Sequence, residues 1–257
     1  MGKKIAGVCF VRNAIIFDYC IEASINSMRA FCDHVFVCYV ESDDDTYSKL
    51  LWMEGDNLTI LKCSNEQWES VHGKEKLSFF QNVAIEYAQQ QGYEYCFLCQ
   101  ADECVHEDSI PYIQRALALG EESYFITRYN LWGSPETMLN VPQSRKPVST
   151  VVNRIAKSCY RSVDDGESIA ANGASLDFIN LIEIFHAGFI RDKKKHIAKI
   201  KEIQQNIFAM EHYDSRADLK PEFDWKDWGF TEDDLVRIPK PLPIYLDSWI
   251  SQLNKFE

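Results

Sequence analysis

The first hundred residues alternate between short apolar segments and longer amphipathic ones. Strand–helix alternation of this kind predicts an α/β fold with a doubly wound, mostly parallel central sheet flanked by helices. Ligands of such sheets bind beyond the carboxyl ends of the strands, so candidate functional residues are expected there. The predicted strands are 5–11, 34–40, 58–63 and 93–99, and the predicted helices are 17–31, 46–53 and 76–90.

The second half of the chain is less regular, with prolines and glycines between 133 and 150 that predict a loop. We expect one domain over 1–210, with halves 1–105 and 106–210, and an irregular C-terminal extension over 211–257 that packs on it. The predicted strands here are 124–131, 151–156, 158–161 and 181–190, and the predicted helices are 108–119 and 192–210.

The composition indicates a globular protein with an ample core, since 46% of the 257 residues are hydrophobic. The net charge of −12 argues against a protein that coats nucleic acid. No apolar run reaches the length of a membrane span, and the N-terminus enters a strand directly, so neither a span nor a secretory signal is expected. The nine cysteines lie mostly in apolar segments, which predicts reduced thiols and a cytoplasmic location.

The fourth predicted strand ends in the turn Gln100-Ala101-Asp102-Glu103. Carboxylate oxygens are preferred ligands of Mg²⁺ and Mn²⁺, and a cation held there can neutralise a diphosphate. In this interpretation one of the two acids, Asp102 or Glu103, holds the metal. The alternative is that both acids only solvate a loop and begin the next helix.

Polar residues also follow the first two strands. Val11-Arg12-Asn13 can contact a nucleotide base and phosphate, although Asn13 can equally begin a helix. Asp43 can accept hydrogen bonds from a uracil or ribose, although solvated acids are common in such turns. Asn82, on the helix before the acidic turn, can reach the same crevice or be a surface amide.

The chain contains no glycine-rich phosphate loop, neither Gly-x-Gly-x-x-Gly after the first strand nor a Walker-type Gly-Lys-Ser/Thr. This weakens the dinucleotide-binding and P-loop NTPase interpretations. The basic stretch from Arg191 to Lys201 is an alternative phosphate-binding feature, although such runs are usually solvated helix faces.

In this order the motifs resemble the nucleotide-sugar glycosyltransferases of the GT-A fold, specifically the family-2-type enzymes. Those enzymes typically end the fourth strand in an Asp-x-Asp-type motif whose last Asp holds manganese or magnesium; this chain matches at Asp102 and departs at Gln100. The resemblance covers most of 4–205. Its downstream segments are Tyr129 to Pro135 on the acceptor side, the strand Val152 to Ile155, the acidic turn within Tyr160 to Glu167, and the His-x-Gly segment within Phe185 to Arg191.

The resemblance implies a metal-dependent hexosyl- or pentosyltransferase that moves a sugar, with inversion, from a nucleotide-diphosphate donor such as a UDP-sugar to a hydroxyl acceptor. It implies Mn²⁺ or Mg²⁺ on Asp102 and His186, although His186 is alternatively a structural histidine. Asp165 is the first choice for the base and Glu167 the second, unless the turn is merely solvated. The implied donor-binding residues are Val11, Arg12, Asn13, Asp43, Asn82, Gln100, Ala101, Arg191 and Lys199, and the implied acceptor-side residues are Trp132 and Glu103.

Other functions stay open at this point. A catalytically inactive GT-A-like domain that binds a sugar or a partner is kept open by Gln100, which offers a carbonyl oxygen but no charge. A nucleotidyltransferase also uses strand-end acids, but the glycine-rich activating loop it needs is not found. The acceptor is open between a glycan, a lipid-linked saccharide, a protein and a hydroxymethylated base of viral DNA, and the oligomeric state is not predicted.

Overall fold

The structure, a computed structural model, describes residues 3–140, 150–163, 166–203 and 231–253. The strands are β1 (Ile5–Val11), β2 (His34–Val40), β3 (Leu58–Cys63), β4 (Tyr95–Leu98), β5 (Glu103–Val105), β6 (Ser123–Trp132), β7 (Thr137–Leu139), β8 (Val151–Lys157), β9 (Arg161–Val163), β10 (Ser168–Ala170), β11 (Glu183–Phe189) and β12 (Leu235–Arg237). The α-helices are α1 (Ile21–Arg29), α2 (Thr46–Met53), α3 (Asn65–Ser70), α4 (Glu75–Gln90), α5 (Ile110–Leu119), α6 (Lys193–Glu202) and α7 (Asp247–Leu253).

The central sheet confirms the predicted α/β architecture. Its strands lie in the order β3-β2-β1-β4-β8-β6-β11-β5, and β8 is antiparallel to both of its neighbours. The pairs β3/β2, β2/β1, β1/β4 and β6/β11 are parallel. The strands β1, β2, β4 and β11 therefore end at one common edge of the sheet, which we call the carboxyl edge.

Both faces of the sheet are covered, so its central strands are apolar on both sides. In β1, Ile5 and Cys9 pack into one hydrophobic cluster, while Ala6 and Val8 pack into another on the opposite face. Successive side chains of a strand point to opposite faces, and for this reason β1 is a continuous apolar run instead of an alternating one.

Several elements differ from the prediction. The segment predicted as a strand at 158–161 is a turn that leads into β9. The unexpected elements are α3, β5, β7, β10, β12 and α7, of which β7 lies in the predicted loop at 133–150. The predicted helix 192–210 is α6 in its first part, and its part after 203 lies outside the described residues. A local signal for α3 exists, because Ser64 and Gln67 form a reciprocal capping box at its first turn. No such signal exists for β5, which forms because it pairs with the distant strand β11.

The described part of the C-terminal segment contacts the α/β domain through a strand and through a helix. β12 pairs antiparallel with β7, and Leu246 and Trp249 pack in one cluster with Cys20 and Ala23 at the start of α1. Among the helices of the described ranges, none is long and apolar enough to cross a membrane.

Candidate active site

The turn after β4 separates two adjacent carboxylates. The Glu103 amide donates to the Gln100 carbonyl oxygen at 3.0 Å, and the Gln100 amide donates to Glu103 Oε2 at 2.8 Å, so the turn is closed twice. Glu103 then enters β5 with no exposed surface, whereas Asp102 stays at the carboxyl edge and is 6% exposed. The two acids therefore belong to two different clusters.

The first group, which we call the edge cluster, comprises Asp102, His186, Arg191 and Lys199. Asp102 Oδ2 accepts hydrogen bonds from Arg191 Nη2 at 2.8 Å and from Lys199 Nζ at 2.7 Å, and His186 Nε2 lies 3.5 Å from the same oxygen. Burial alone would raise the pKa of Asp102, but Lys199, His186 and Arg191 together hold that pKa well below its usual value. Asp102 is therefore an ionised carboxylate.

The two cations of the edge cluster are also held by groups other than Asp102. Arg191 donates from Nε to the Gly188 carbonyl oxygen at 2.9 Å and from Nη1 to the Phe17 carbonyl oxygen. Its guanidinium carbon lies 5.0 Å from the centre of the Tyr19 ring, and Lys199 Nζ lies 5.2 Å from it. These contacts fix two positive charges at the carboxyl edge around a single carboxylate.

A glycine lets Asp102 and His186 lie close to the backbone. A Cβ atom added to Gly188 would lie 2.6 Å from His186 Nε2 and 3.2 Å from Asp102 Oδ2, closer than a side chain tolerates. Gly188 follows His186 by two residues at an irregularity in the pairing of β11 with β6. The imidazole and carboxylate therefore pack against the backbone of Gly188, a close contact that we call the cradle and that any other residue would disrupt.

The donor set at this cradle fits a divalent cation. Asp102 offers carboxylate oxygens and His186 offers Nε2, and in the described ranges no group of three or more acids, cysteines and histidines converges on one point. Mg²⁺ and similar ions are commonly held by one or two protein groups together with substrate phosphates and water. Asp102 and His186 are thus sufficient for such an ion only when a phosphate-bearing ligand is present.

The second group, which we call the buried cluster, comprises Glu103, Arg128, Arg154 and Glu167. Glu103 Oε1 accepts from Arg154 Nη2 at 2.7 Å and from Arg128 Nη1 at 3.3 Å. Arg128 also forms an ion pair with Glu167, and Arg154 donates to the Gly166 carbonyl oxygen at 3.3 Å. Both arginines and Glu103 are at most 1% exposed, so these charges depend on one another and on Glu167 instead of on water.

The hairpin of β9 and β10, which carries the acidic turn, is also held by α4. Asn82 donates from Nδ2 to the Ser162 carbonyl oxygen at 2.9 Å, and its Oδ1 accepts from the Ser162 amide at 2.8 Å. Ser162 Oγ donates to Gln81 Oε1 at 2.6 Å. Gly166 has a φ of +76°, and a Cβ there would lie 2.8 Å from Gln81 Oε1, so this position requires glycine.

Three of the predicted donor-binding residues meet where β1 and β2 end. The Asn13 amide group donates to Asp43 Oδ2 at 3.3 Å, and the Asp43 backbone amide donates to Asn13 Oδ1 at 2.8 Å. Arg12 donates to Asp43 Oδ2 at 3.2 Å and stacks over Trp68, with 5.2 Å between its guanidinium carbon and the ring centre. The side chain of Asp43 is 64% exposed, so this group of three residues reaches the solvent through Asp43.

The structure does not bring every predicted site residue to the carboxyl edge through its side chain. Val11 and Ala101 are buried in the core, and the amide of Asn82 is engaged by β9. Gln100 directs Nε2 to the Gly166 carbonyl oxygen and Glu167 Oε1, at 3.5 Å each. Trp132 is 2% exposed and stacks on Phe189 with 3.9 Å between the ring centres.

Asp165, the first choice for the base, lies outside the described residues, as does Asp164. The described part of the acidic turn is Gly166 and Glu167. Burial would raise the pKa of Glu167, but Arg128, Arg154 and His186 bring it below its usual value.

Arg128 and Arg154 were missed by the sequence interpretation. Each is a charged residue within a largely buried strand of a sheet that is covered on both faces. Lysine and arginine are almost never fully buried unless they are paired, so an arginine in such a strand is a signal for a buried acid nearby.

The sequence matches no protein-family profile and no curated protein sequence. In comparison with solved structures, the chain is similar to residues 1–349 of TarS from S. aureus, at 15% identity and a TM-score of 0.46, over 84% of this chain and 68% of that one. It is also similar to glucosyl-3-phosphoglycerate synthase from Mycobacterium tuberculosis in complex with Mn²⁺, UDP and phosphoglyceric acid, at 17% identity and a TM-score of 0.39. That match covers 61% of this chain and 56% of the synthase, so the chain spans little more than half of its length. These are likenesses of fold.

Proposed function

We propose that this protein is a glycosyltransferase that moves a sugar from a nucleotide-diphosphate donor, with UDP-sugar as the first candidate, to a hydroxyl acceptor. The observation that carries the proposal is the edge cluster: Asp102 and His186 lie together at the cradle on the carboxyl edge, with Arg191 and Lys199 held beside them. This edge is where ligands of open α/β sheets bind.

The charges of the site match a diphosphate. In the edge and buried clusters together, four arginine and lysine side chains face three carboxylates, although the whole chain carries a net charge of −12. Arg191 and Lys199 are the members that lie at the carboxyl edge. They stabilise the negative charge that grows on the leaving diphosphate, which is where fixed positive charge accelerates the reaction.

Asp102 and His186 are the residues that would hold Mn²⁺ or Mg²⁺ at the cradle beside Gly188. When bound, such an ion supplies Lewis-acid stabilisation of the diphosphate. Asp102 is ionised without it, so the ligand needs no deprotonation before the ion binds.

Asp165 is proposed as the base that accepts the proton of the acceptor hydroxyl, with Glu167 as the second choice. The ion pair between Glu167 and Arg128 favours Asp165 over Glu167 as the base. A carboxylate with a lowered pKa accepts a proton weakly, and one that is bound to an arginine must break that contact to act. Arg12, Asn13 and Asp43 are proposed to contact the nucleoside, because they lie together where β1 and β2 end.

The proposal is tested with the purified chain and a panel of nucleotide-sugars. Thermal shift with and without MnCl₂ identifies the donor that stabilises the protein, and that donor is then offered to glycan, lipid-linked, protein and hydroxymethylated DNA acceptors with release of nucleoside diphosphate as the readout. We expect one donor to stabilise the chain in a manganese-dependent manner and to be turned over. Stabilisation by a donor without turnover on any acceptor would favour a non-catalytic binding domain, and no stabilisation by any nucleotide-sugar would refute the proposal.

A further inference from the structure

The buried cluster joins three parts of the chain that are distant in sequence. Glu103 follows the edge turn, Arg128 and Arg154 lie on β6 and β8, and Glu167 lies on the acidic turn. Burying an ionic group costs several kcal/mol, so a chain needs a reason to place two arginines at 0–1% exposure.

One carboxylate does not neutralise this cluster. Glu103 faces two guanidinium groups, and the second negative charge comes from Glu167, whose side chain is 36% exposed while Arg128 beside it is 1% exposed. The position of Glu167 is therefore set in part by a charge that has no access to water, and displacing Glu167 would take one carboxylate away from the buried Arg128.

The second arginine acts on the backbone of the same turn. Arg154 Nη1 donates to the Gly166 carbonyl oxygen at 3.3 Å while its Nη2 donates to Glu103 Oε1 at 2.7 Å. Only a planar, forked cation reaches both acceptors at once, and a lysine with one nitrogen does not. Helix α4 also contacts this hairpin. Gln81 lies where a Cβ of Gly166 would be, and Asn82 binds the Ser162 backbone.

We propose that Arg128 and Arg154 are positioning residues that hold Gly166 and Glu167, the described part of the acidic turn and the second choice for the base, at a fixed place relative to Asp102. This inference rests on the proposed function. Glu103 connects the two sides, because it binds both arginines through Oε1 and closes the Asp102 turn through Oε2. One buried carboxylate thereby ties the donor side of the site to the acceptor side.

The test is the pair Arg154→Lys and Arg128→Lys, each compared with Arg115→Met, which alters an exposed arginine on α5. Each lysine keeps the buried positive charge but replaces the planar guanidinium, which donates from two nitrogens, with an ammonium group that has one. We expect kcat for transfer to fall about 10²-fold, the effect of misplacing a reacting group by roughly 1 Å. The Kd for the donor is expected to stay within about twofold, because the edge cluster is untouched.

Hydrogen exchange supplies a readout that does not depend on activity. The Gly166 amide donates to the Val163 carbonyl oxygen at 3.0 Å, and its exchange is expected to accelerate in both lysine variants but not in Arg115→Met, while amides of β1 and β4 keep their protection. If the wild-type chain turns over no donor, the proposed function fails, and exchange at the turn still decides the positioning role.

Two results would overturn the inference. One is a folded lysine variant with wild-type kcat and unchanged exchange at Gly166. The other is a loss of kcat that is matched by an equal loss of donor affinity, which would place the arginines in support of the edge cluster. If Arg154→Lys does not fold, as judged by circular dichroism, Arg128→Lys carries the same test, since it alters the contact to Glu167 and leaves the Gly166 contact in place.

Discussion

The edge cluster and the buried cluster contain adjacent acids and similar numbers of charged side chains, yet their carboxylates differ in accessibility. Asp102 and Glu103 each face two basic side chains. Around Asp102 the Lys199 side chain is 14% exposed and the Asp102 side chain 8% exposed, so the carboxylate and its cations reach the solvent at the carboxyl edge. Glu103, Arg128 and Arg154 are at most 1% exposed, so their charges fix one another, and in this cluster the solvent is reached through Glu167. Accessibility, more than residue type, separates a ligand site from a scaffold.

The largest effect is expected when Glu103, the fully buried one of the two adjacent carboxylates, is changed. Glu103→Gln keeps the shape but leaves two buried arginines short of a negative charge, and removing one partner of a buried ion pair typically costs about 3–5 kcal/mol. We expect the free energy of unfolding, measured by urea denaturation, to fall by that amount. The control is Glu54→Gln, at an exposed glutamate, for which we expect no measurable change. An equal, small effect for both variants would mean that Glu103 is not needed to compensate the arginines.

Asp102→Asn is expected to lower turnover strongly, and to lower stability as well because it takes a negative charge from the buried Arg191. The amide cannot bind a cation as a carboxylate does, and losing one preorganised electrostatic contact costs about 10²–10³-fold in kcat. Nucleoside diphosphate release at saturating donor measures the loss, and Asp56→Asn, at an exposed aspartate, is the control. Turnover at the wild-type rate would remove Asp102 from the mechanism.

The same two clusters show how much of the candidate site can be predicted from the sequence. Asp102 and Arg191 of the edge cluster could be anticipated because each follows a strand, and local patterns reveal strand ends. His186 lies within β11 and Lys199 within α6, and these two were predicted from the segments that resemble a known family. Asp102, His186, Arg191 and Lys199 were all assigned to one site before any geometry, and the structure brings them within hydrogen-bonding or ion-pair distance of one oxygen.

The buried cluster could not be anticipated in this way. Glu103 lies 25 residues from Arg128 and 51 residues from Arg154, and they meet because β8 is inserted antiparallel between β4 and β6. That strand order is a property of the whole fold. Asn82 shows the same limit, since its amide binds a backbone 80 residues away.

Gly188→Ala tests the cradle of the edge cluster with a single methyl group. The added Cβ would lie within 2.6 Å of His186 Nε2, so the imidazole must move away from Asp102. Overpacking of this kind costs about 1–3 kcal/mol, and we expect manganese-dependent stabilisation by the donor to weaken about tenfold or more. Gly55→Ala is the matched control, because its Cβ would meet only Arg29 Nη2 at 3.9 Å. Unchanged donor binding in Gly188→Ala would show that the cradle is not used.

The smallest expected effect concerns the pKa of His196, a buried histidine near the two cations of the edge cluster. Burial, with Arg191 and Lys199 nearby, lowers the pKa of His196 to about 3. The unfolded histidine titrates near its ordinary value, about 6.5. The unfolded state therefore gains a proton first as the pH falls, and stability that is complete above about pH 6.5 is lost progressively on the way to pH 3. We expect His196→Gln to recover about 1 kcal/mol of the stability lost between pH 7 and pH 5.5, measured by urea denaturation at both values. Parallel loss in both proteins would mean that the pKa of His196 is not lowered in the folded state, whereas in the buried cluster, which contains no histidine, no such dependence is expected over this range.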